Sequence, residues 1–135
     1  MRLLTHNTLR NNSESAKGKG FPLKITVTEI RVDDPSTHAV DTEQQIQFCK
    51  GILSMLDWPA LVAAATDMGL STLPPILTQD LASNEAFLQA LYHILLHVHL
   101  IQGMLTCPTT GREFPVTNGI PNMMLQEEEC ENVRI

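Results

Sequence analysis

Cysteine and histidine are the side chains here best suited to holding a metal or attacking a substrate, and their spacing serves neither purpose. Cys107 opens the stretch "CPTTGREFPVTNGIPNMML" like one half of a metal-ribbon knuckle, with proline next and glycine four residues on. The second cysteine of such a knuckle belongs at position 110, where the chain has Thr110. A structural zinc site takes four Cys or His ligands, usually as two pairs. His93 and His97 are spaced i, i+4, as metals use, yet they stand among Leu, Ile and Tyr where a polar rim is an equal reading. The ligand count fails, so zinc is not expected.

Nucleophilic chemistry has no better support. Cys49, Cys107 and Cys130 are widely spaced and odd in number, and no local signature pairs any of them with His6, His38 or the later histidines. There is no GxGxxG, no phosphate-binding loop and no GxSxG. The Glu127–Glu129 run reads as a solvated tail rather than paired catalytic carboxylates. No catalytic residue is expected, and an independent enzyme is disfavoured.

The bulk properties bound what remains. A chain of 135 residues buries about two-thirds of its unfolded surface and needs no metal or disulfide to fold. Aromatic content of 4% means a core of Leu, Ile, Val, Ala and Met. No apolar run is long enough to span a bilayer and no signal peptide is visible, so a soluble intracellular protein with reduced thiols is expected. The net charge of −6 argues against autonomous nucleic-acid binding, but it is uneven: residues 1–31 carry +4 and the remainder −10. The basic end could touch RNA as an accessory, or could be a solvated surface.

These residues must be positioned by a few elements. "MRLLTHNTL" predicts an ordered terminus, a strand running into a turn, and "NNSESAKGKG" a polar loop. "FPLKITVTEIRV" alternates as a strand whose phase slips, predicting a bulge near Thr28–Glu29. The period then becomes helical. One helix is expected over 41–56, with Asp41 as cap and Gln44 three residues later. A second is expected over 57–69, with Pro59 in its first turn and Gly69 as its stop. A third is expected over 83–100, capped by Ser83 or Asn84. Short strands then follow in "IQGMLTC", "REFPVTN" and "GIPNMML", with turns at Pro108–Gly111 and Asn118–Gly119.

The last of these stretches carries an apolar excess. Phe114, Val116, Ile120, Met123, Met124 and Leu125 crowd into twelve residues. A sheet could bury alternate ones in its own core, while the others need cover from the helices or from another protein. Pro115 and Pro121 cannot donate to a ladder, which suits an edge strand, and an apolar edge invites strand addition by a partner.

"MRLLTHNTL" at the start, "GFPL" at 20–23, "LDWPALVAAA" at 56–65 and "LYHILLHVHLIQGMLTCPTTGREFPVTNGIPNMML" at 91–125 resemble the small methyltransferase activator subunits, the tRNA methyltransferase 112 homologs. The resemblance runs in order over nearly the whole chain. It implies an α+β fold: a small zinc-ribbon-like antiparallel β domain built from both termini (1–35 and 99–125), an inserted three-helix domain (36–98) and a flexible acidic tail (126–135). It also implies a non-catalytic subunit of several class I, S-adenosylmethionine-dependent methyltransferases that modify tRNA, rRNA and the glutamine of a translation release factor. On this reading the cofactor is bound by the partner, the complex works in cytoplasm and nucleus, and no membrane is involved.

Some members of that family hold zinc through four cysteines. This chain matches only Cys107, with Thr110 at the second knuckle position and Val32, Asp33 and Asp34 placed near the lost first pair. Carried over by position, the partner surface comprises Leu3, Leu4, Thr5, His6 and Asn7 with Gly119, Ile120, Pro121, Asn122, Met123 and Met124. Phe114 and Val116 join it from the apolar excess. A small RNA-binding ribbon acting alone is the competing expectation.

Overall fold

The computed structural model describes residues 1–34, 41–70 and 73–125. The break in pattern expected over 33–40 therefore lies outside the described residues from 35 on, as does the acidic tail expected over 126–135. Four strands, β1 (Lys24–Val32), β2 (Val98–Thr106), β3 (Glu113–Thr117) and β4 (Ile120–Pro121), form one antiparallel sheet in the order β1-β2-β3-β4. The helices are α1 (Leu3–His6), α2 (Thr42–Ile52), α3 (Trp58–Asp67), α4 (Gln79–Ala82) and α5 (Glu85–Leu96). All but α1 are inserted between β1 and β2, so an α+β fold stands.

Local chemistry sets the boundaries. Asp57 caps α3 by accepting the Ala60 N–H at 3.1 Å, and Pro59 sits in the first turn. Gly69 ends that helix with φ +81°. Asn84 caps α5 through the Phe87 N–H at 3.1 Å. Asp41 precedes α2 without a side-chain cap bond, unlike the expected capping box.

Three further expectations need correction. The start of the chain folds into a helical turn, α1, rather than a strand, although Arg2 does bridge His99 of β2. The helix expected to reach residue 100 stops at Leu96. Val98 onward is strand, because Val98 and Leu100 alternate inward and pair with Val32 and Ile30. The proline-containing loop expected over 70–82 contains α4, capped by Thr78 accepting the Leu81 N–H.

The slip in β1 is present: the register against β2 shifts between Val27 and Glu29 and again between Glu29 and Ile30. The first leaves Thr28 as an extra residue in β1 and the second leaves Ile101 as one in β2, so the two cancel in register and Ile30, like Ile25, stands opposite a buried leucine. Sheet and helices share one buried cluster, running from Phe114 and Leu105 through Leu3, Leu61 and Leu95 to Ile46 and Leu88. Cys49 lies in it, donating its thiol to Leu88 O at 3.3 Å, and burial pushes that thiol up to about 11.

Candidate partner-docking surface

Two segments distant in sequence meet at one end of β2. Met1 N donates to Leu100 O at 2.7 Å and Leu100 N returns a bond to Met1 O at 2.8 Å, so the chain start lies beside β2 like a further short strand. On the same side the turn Asn118–Gly119 closes the β3–β4 hairpin, and Gly119 N donates to Ile101 O at 2.9 Å. Asn118 and Gly119 have φ +51° and +78°, the left-handed pair of a two-residue hairpin turn. A Cβ on Gly119 would also stand 3.4 Å from Met1 N. The turn thus abuts the chain start, and both expected docking segments converge there.

Burial divides the residues of that surface. Leu3, His6, Phe114 and Val116 are interior side chains, each at most 2% exposed, and Asn7 is 8% exposed. Their inward direction follows from α1 packing on the core and from the alternation of β3, which leaves Glu113, Pro115 and Thr117 outside. The sequence places these five on the partner surface; in the free chain they belong to its own interior. Outside stand Ile120 at 69% and Met124 at 79%, with Thr5 and Asn122. Leu4, Gly119, Pro121 and Met123 are half-buried around them.

Backbone bonds fix this ridge without a long strand. Asn122 N donates to Pro115 O at 2.8 Å, and Met124 N to Asn122 Oδ1 at 3.1 Å. Pro115 was expected on an edge but lies in β3, between β2 and β4. Its carbonyl faces β4, so its missing N–H falls on that side, where the ladder ends within two residues and costs little. Beside the ridge, Leu9, Arg10, Phe114, Met123 and Leu125 line an open depression of about 220 Å³. Arg112 lies over the Phe114 ring at 4.8 Å. Leu9, Arg10 and Leu125 were missing from the sequence-based surface, since nothing in a chain order of residues brings position 9 beside 125.

His6 and Asn7 act as ties. His6 Nε2–H donates to Leu23 O at 2.7 Å, leaving Nδ1 buried without a hydrogen-bond partner, and burial lowers its pKa. Asn7 bonds both backbone groups of Asp57.

The knuckle does not fit a metal. Cys107 N donates to Arg112 O and Gly111 N to Cys107 O, so the turn closes by backbone bonds. The segment facing it is 11–20, not 32–34: Asn11 Nδ2 donates to Thr110 Oγ1 at 3.3 Å, and Thr109 bonds Lys19 O. Asp33 lies elsewhere, 2.7 Å from His99 Nε2. Burial pushes the Cys107 thiol up, but hydrogen bonds from the side chains of Thr110 and Asn11 and the backbone of Thr110 and Thr109 outweigh it, bringing it to about 7. Its thiol is thus surrounded by donors rather than by further metal ligands. His93 and His97 bond each other through Nδ1 at 3.1 Å. Among the described residues no group of three or more His, Cys, Asp or Glu is placed to hold a metal ion.

No protein-family model matches the chain. Similar proteins do. The chain is 42% identical over 135 residues to multifunctional methyltransferase subunit TRM112 homolog A of Arabidopsis thaliana, covering 96% of this chain and 99% of that protein. It is 38% identical over 131 residues to the TRM112-like multifunctional methyltransferase subunit of Bos taurus, with 97% and 99% covered. Among solved structures it resembles a chain of the E. cuniculi Mtq2–Trm112 complex responsible for methylation of the eRF1 translation termination factor. That likeness has TM-score 0.52 at 13% identity, covering 92% of this chain and 95% of the other, and shows a shared fold.

Proposed function

Because this chain belongs to the TRM112 family of multifunctional methyltransferase subunits, we propose that it is a non-catalytic activating and stabilising subunit of class I methyltransferases. The partners act on tRNA, rRNA and a translation release factor, in cytoplasm and nucleus, and they bind the S-adenosylmethionine. This subunit contributes surface. The observation that carries the reading is the convergence of the chain start and the 118–124 hairpin on one exposed apolar ridge at the β4 edge, with Ile120 69% and Met124 79% exposed.

The mechanism is association. A partner strand adds beside β4 and continues the sheet, while Ile120 and Met124 enter apolar surface on the partner, bordered by Leu4, Thr5, Pro121, Asn122 and Met123. Burying roughly 1,000 Å² or more makes a stable heterodimer and removes an aggregation-prone patch from both chains. Methionine is unbranched and adapts to differing neighbours, which suits one surface to several enzymes. Leu3, His6, Asn7, Phe114 and Val116 support the ridge from beneath.

The discontinuous β domain of residues 1–35 and 99–125 is a zinc-ribbon-like unit that keeps the knuckle turn through hydrogen bonds. The helices of 36–98 form the inserted domain. Co-expression with candidate class I methyltransferases tests the function: the partner should be soluble and cofactor-binding only with this subunit. A partner equally soluble and active alone would refute it. Tight tRNA binding by the free subunit would favour the stand-alone RNA-binding reading.

A further inference from the structure

The sheet has two edges, and the function proposed above uses only one. At the other, β1 runs for nine residues with no strand beyond it among the described residues. Every residue from Thr26 to Val32 is exposed, including Val27 at 37%, Ile30 at 39% and Val32 at 51%. Among the described residues, cover lies at the beginning of this edge: Asp67 of α3 accepts the Ile25 N–H at 3.1 Å and lies 3.6 Å from Lys24 Nζ. A long apolar edge of this kind is a template for another strand.

Side-chain direction and charge specify which strand. Ile30 and Val32 stand opposite Leu100 and Val98, both buried, and so lie at the rim of the core face. Glu29 and Arg31 alternate with them onto the other face. We propose that β1 pairs with β1 of a second copy, antiparallel about a two-fold axis through Ile30. Ile30 then meets Ile30, and Glu29 of each copy stands opposite Arg31 of the other.

The sequence Glu29-Ile30-Arg31 is its own charge complement only in this register. Centring the pair on Glu29 or on Arg31, or running the strands parallel in register, sets like charges opposite each other. Arg31 Nε lies 3.4 Å from Asp33 Oδ1, but at 65% side-chain exposure that pair is weak, and the guanidinium has further N–H groups to offer. The register shifts on either side of Glu29 limit the pairing to the short span Glu29–Arg31 about the axis. The contact is smaller than the ~1,200 Å² of a standard interface, so the dimer is weak, closed and two-fold. It lies across the sheet from β4, so two partner-bound subunits can join through it.

Sedimentation velocity of the full chain, from dilute solution to ~1 mM, tests this. A monomer–dimer equilibrium is expected. Glu29→Arg and Arg31→Glu alone each weaken it about tenfold, and the double variant restores it, because two unlike pairs become two like pairs and then unlike again. Ile30→Lys abolishes it. A chain that stays monomeric throughout overturns the proposal. So does association that ignores both charge reversals, or that is abolished by Ile120→Lys instead.

Discussion

Asn7 and Asp57 are joined by two reciprocal hydrogen bonds across fifty residues of sequence. Asn7 Oδ1 accepts the Asp57 N–H at 2.9 Å, and Asn7 Nδ2 donates to Asp57 O at 3.0 Å. Asp57 is also the cap of α3, so one amide side chain fastens the turn after α1 to the start of an inserted helix. The docking ridge and the helices are thereby held in one frame. Replacing Asn7 by Ala leaves both backbone groups of Asp57 without that partner and should cost about 1–3 kcal/mol. Urea denaturation checks it, and an unchanged midpoint would show the tie to be dispensable.

Phe114 and Ile120 should separate cleanly in experiment. Phe114 is 1% exposed in the core, so Phe114→Ala should lower stability by about 3–5 kcal/mol. Ile120 is 69% exposed, and Ile120→Lys should leave stability within about 0.5 kcal/mol. Thermal unfolding of the two variants distinguishes them, and equal losses would show that Ile120 is held in the interior.

Sequence and structure part company over residues such as these. Alternation in "REFPVTN" makes Phe114 and Val116 one face of a strand, but which face meets the core depends on β2 and α1, which are remote in sequence. The strand slip near Thr28–Glu29, the Asn118–Gly119 turn, the Pro59 start and Gly69 stop of α3 and the Asn84 cap of α5 were legible because each rests on neighbouring residues. The stop of the last helix at Leu96 was not, because "HILLHVHL" suits helix and strand alike until Val98 and Leu100 find partners in β1. Loop 11–20 offered no signal that it would face the knuckle, since Gly20 and Asn11 reveal their close packing only in three dimensions.

His6 gives the fold a pH dependence. Its folded pKa lies below the unfolded value of about 6.5, first because burial disfavours the charged ring. The unfolded chain then binds more protons than the native one between the two values, so stability rises with pH there. The contribution is complete above about 6.5 and declines as pH falls through that value, by at most about 1.4 kcal/mol per pH unit. Denaturant midpoints of wild type and His6→Gln between pH 5 and 8 check this. A slope that His6→Gln leaves unchanged would place the effect elsewhere.

Chelation separates a hydrogen-bonded knuckle from a metal-bound one. Cys107, Thr110 and Asn11 hold the turn through hydrogen bonds. Excess chelator should therefore leave the melting temperature unchanged, whereas metal-held ribbons lose their fold energy when stripped. Thr110→Val removes a donor from the thiol and should cost about 1 kcal/mol. Melting curves with and without chelator decide it, and a marked drop on chelation would show that a metal is present.

Affinity for a class I methyltransferase partner, measured by titration calorimetry on wild type and the Ile120→Lys/Met124→Asp double variant, tests the docking surface most directly. Both side chains are among the most exposed large apolar groups of the chain. Charges placed at the centre of an apolar interface cost about 2–4 kcal/mol each, so affinity should fall at least about a thousandfold while the variant melts at the wild-type temperature. An affinity that survives the double substitution, in a subunit shown to remain folded, would contradict docking at β4.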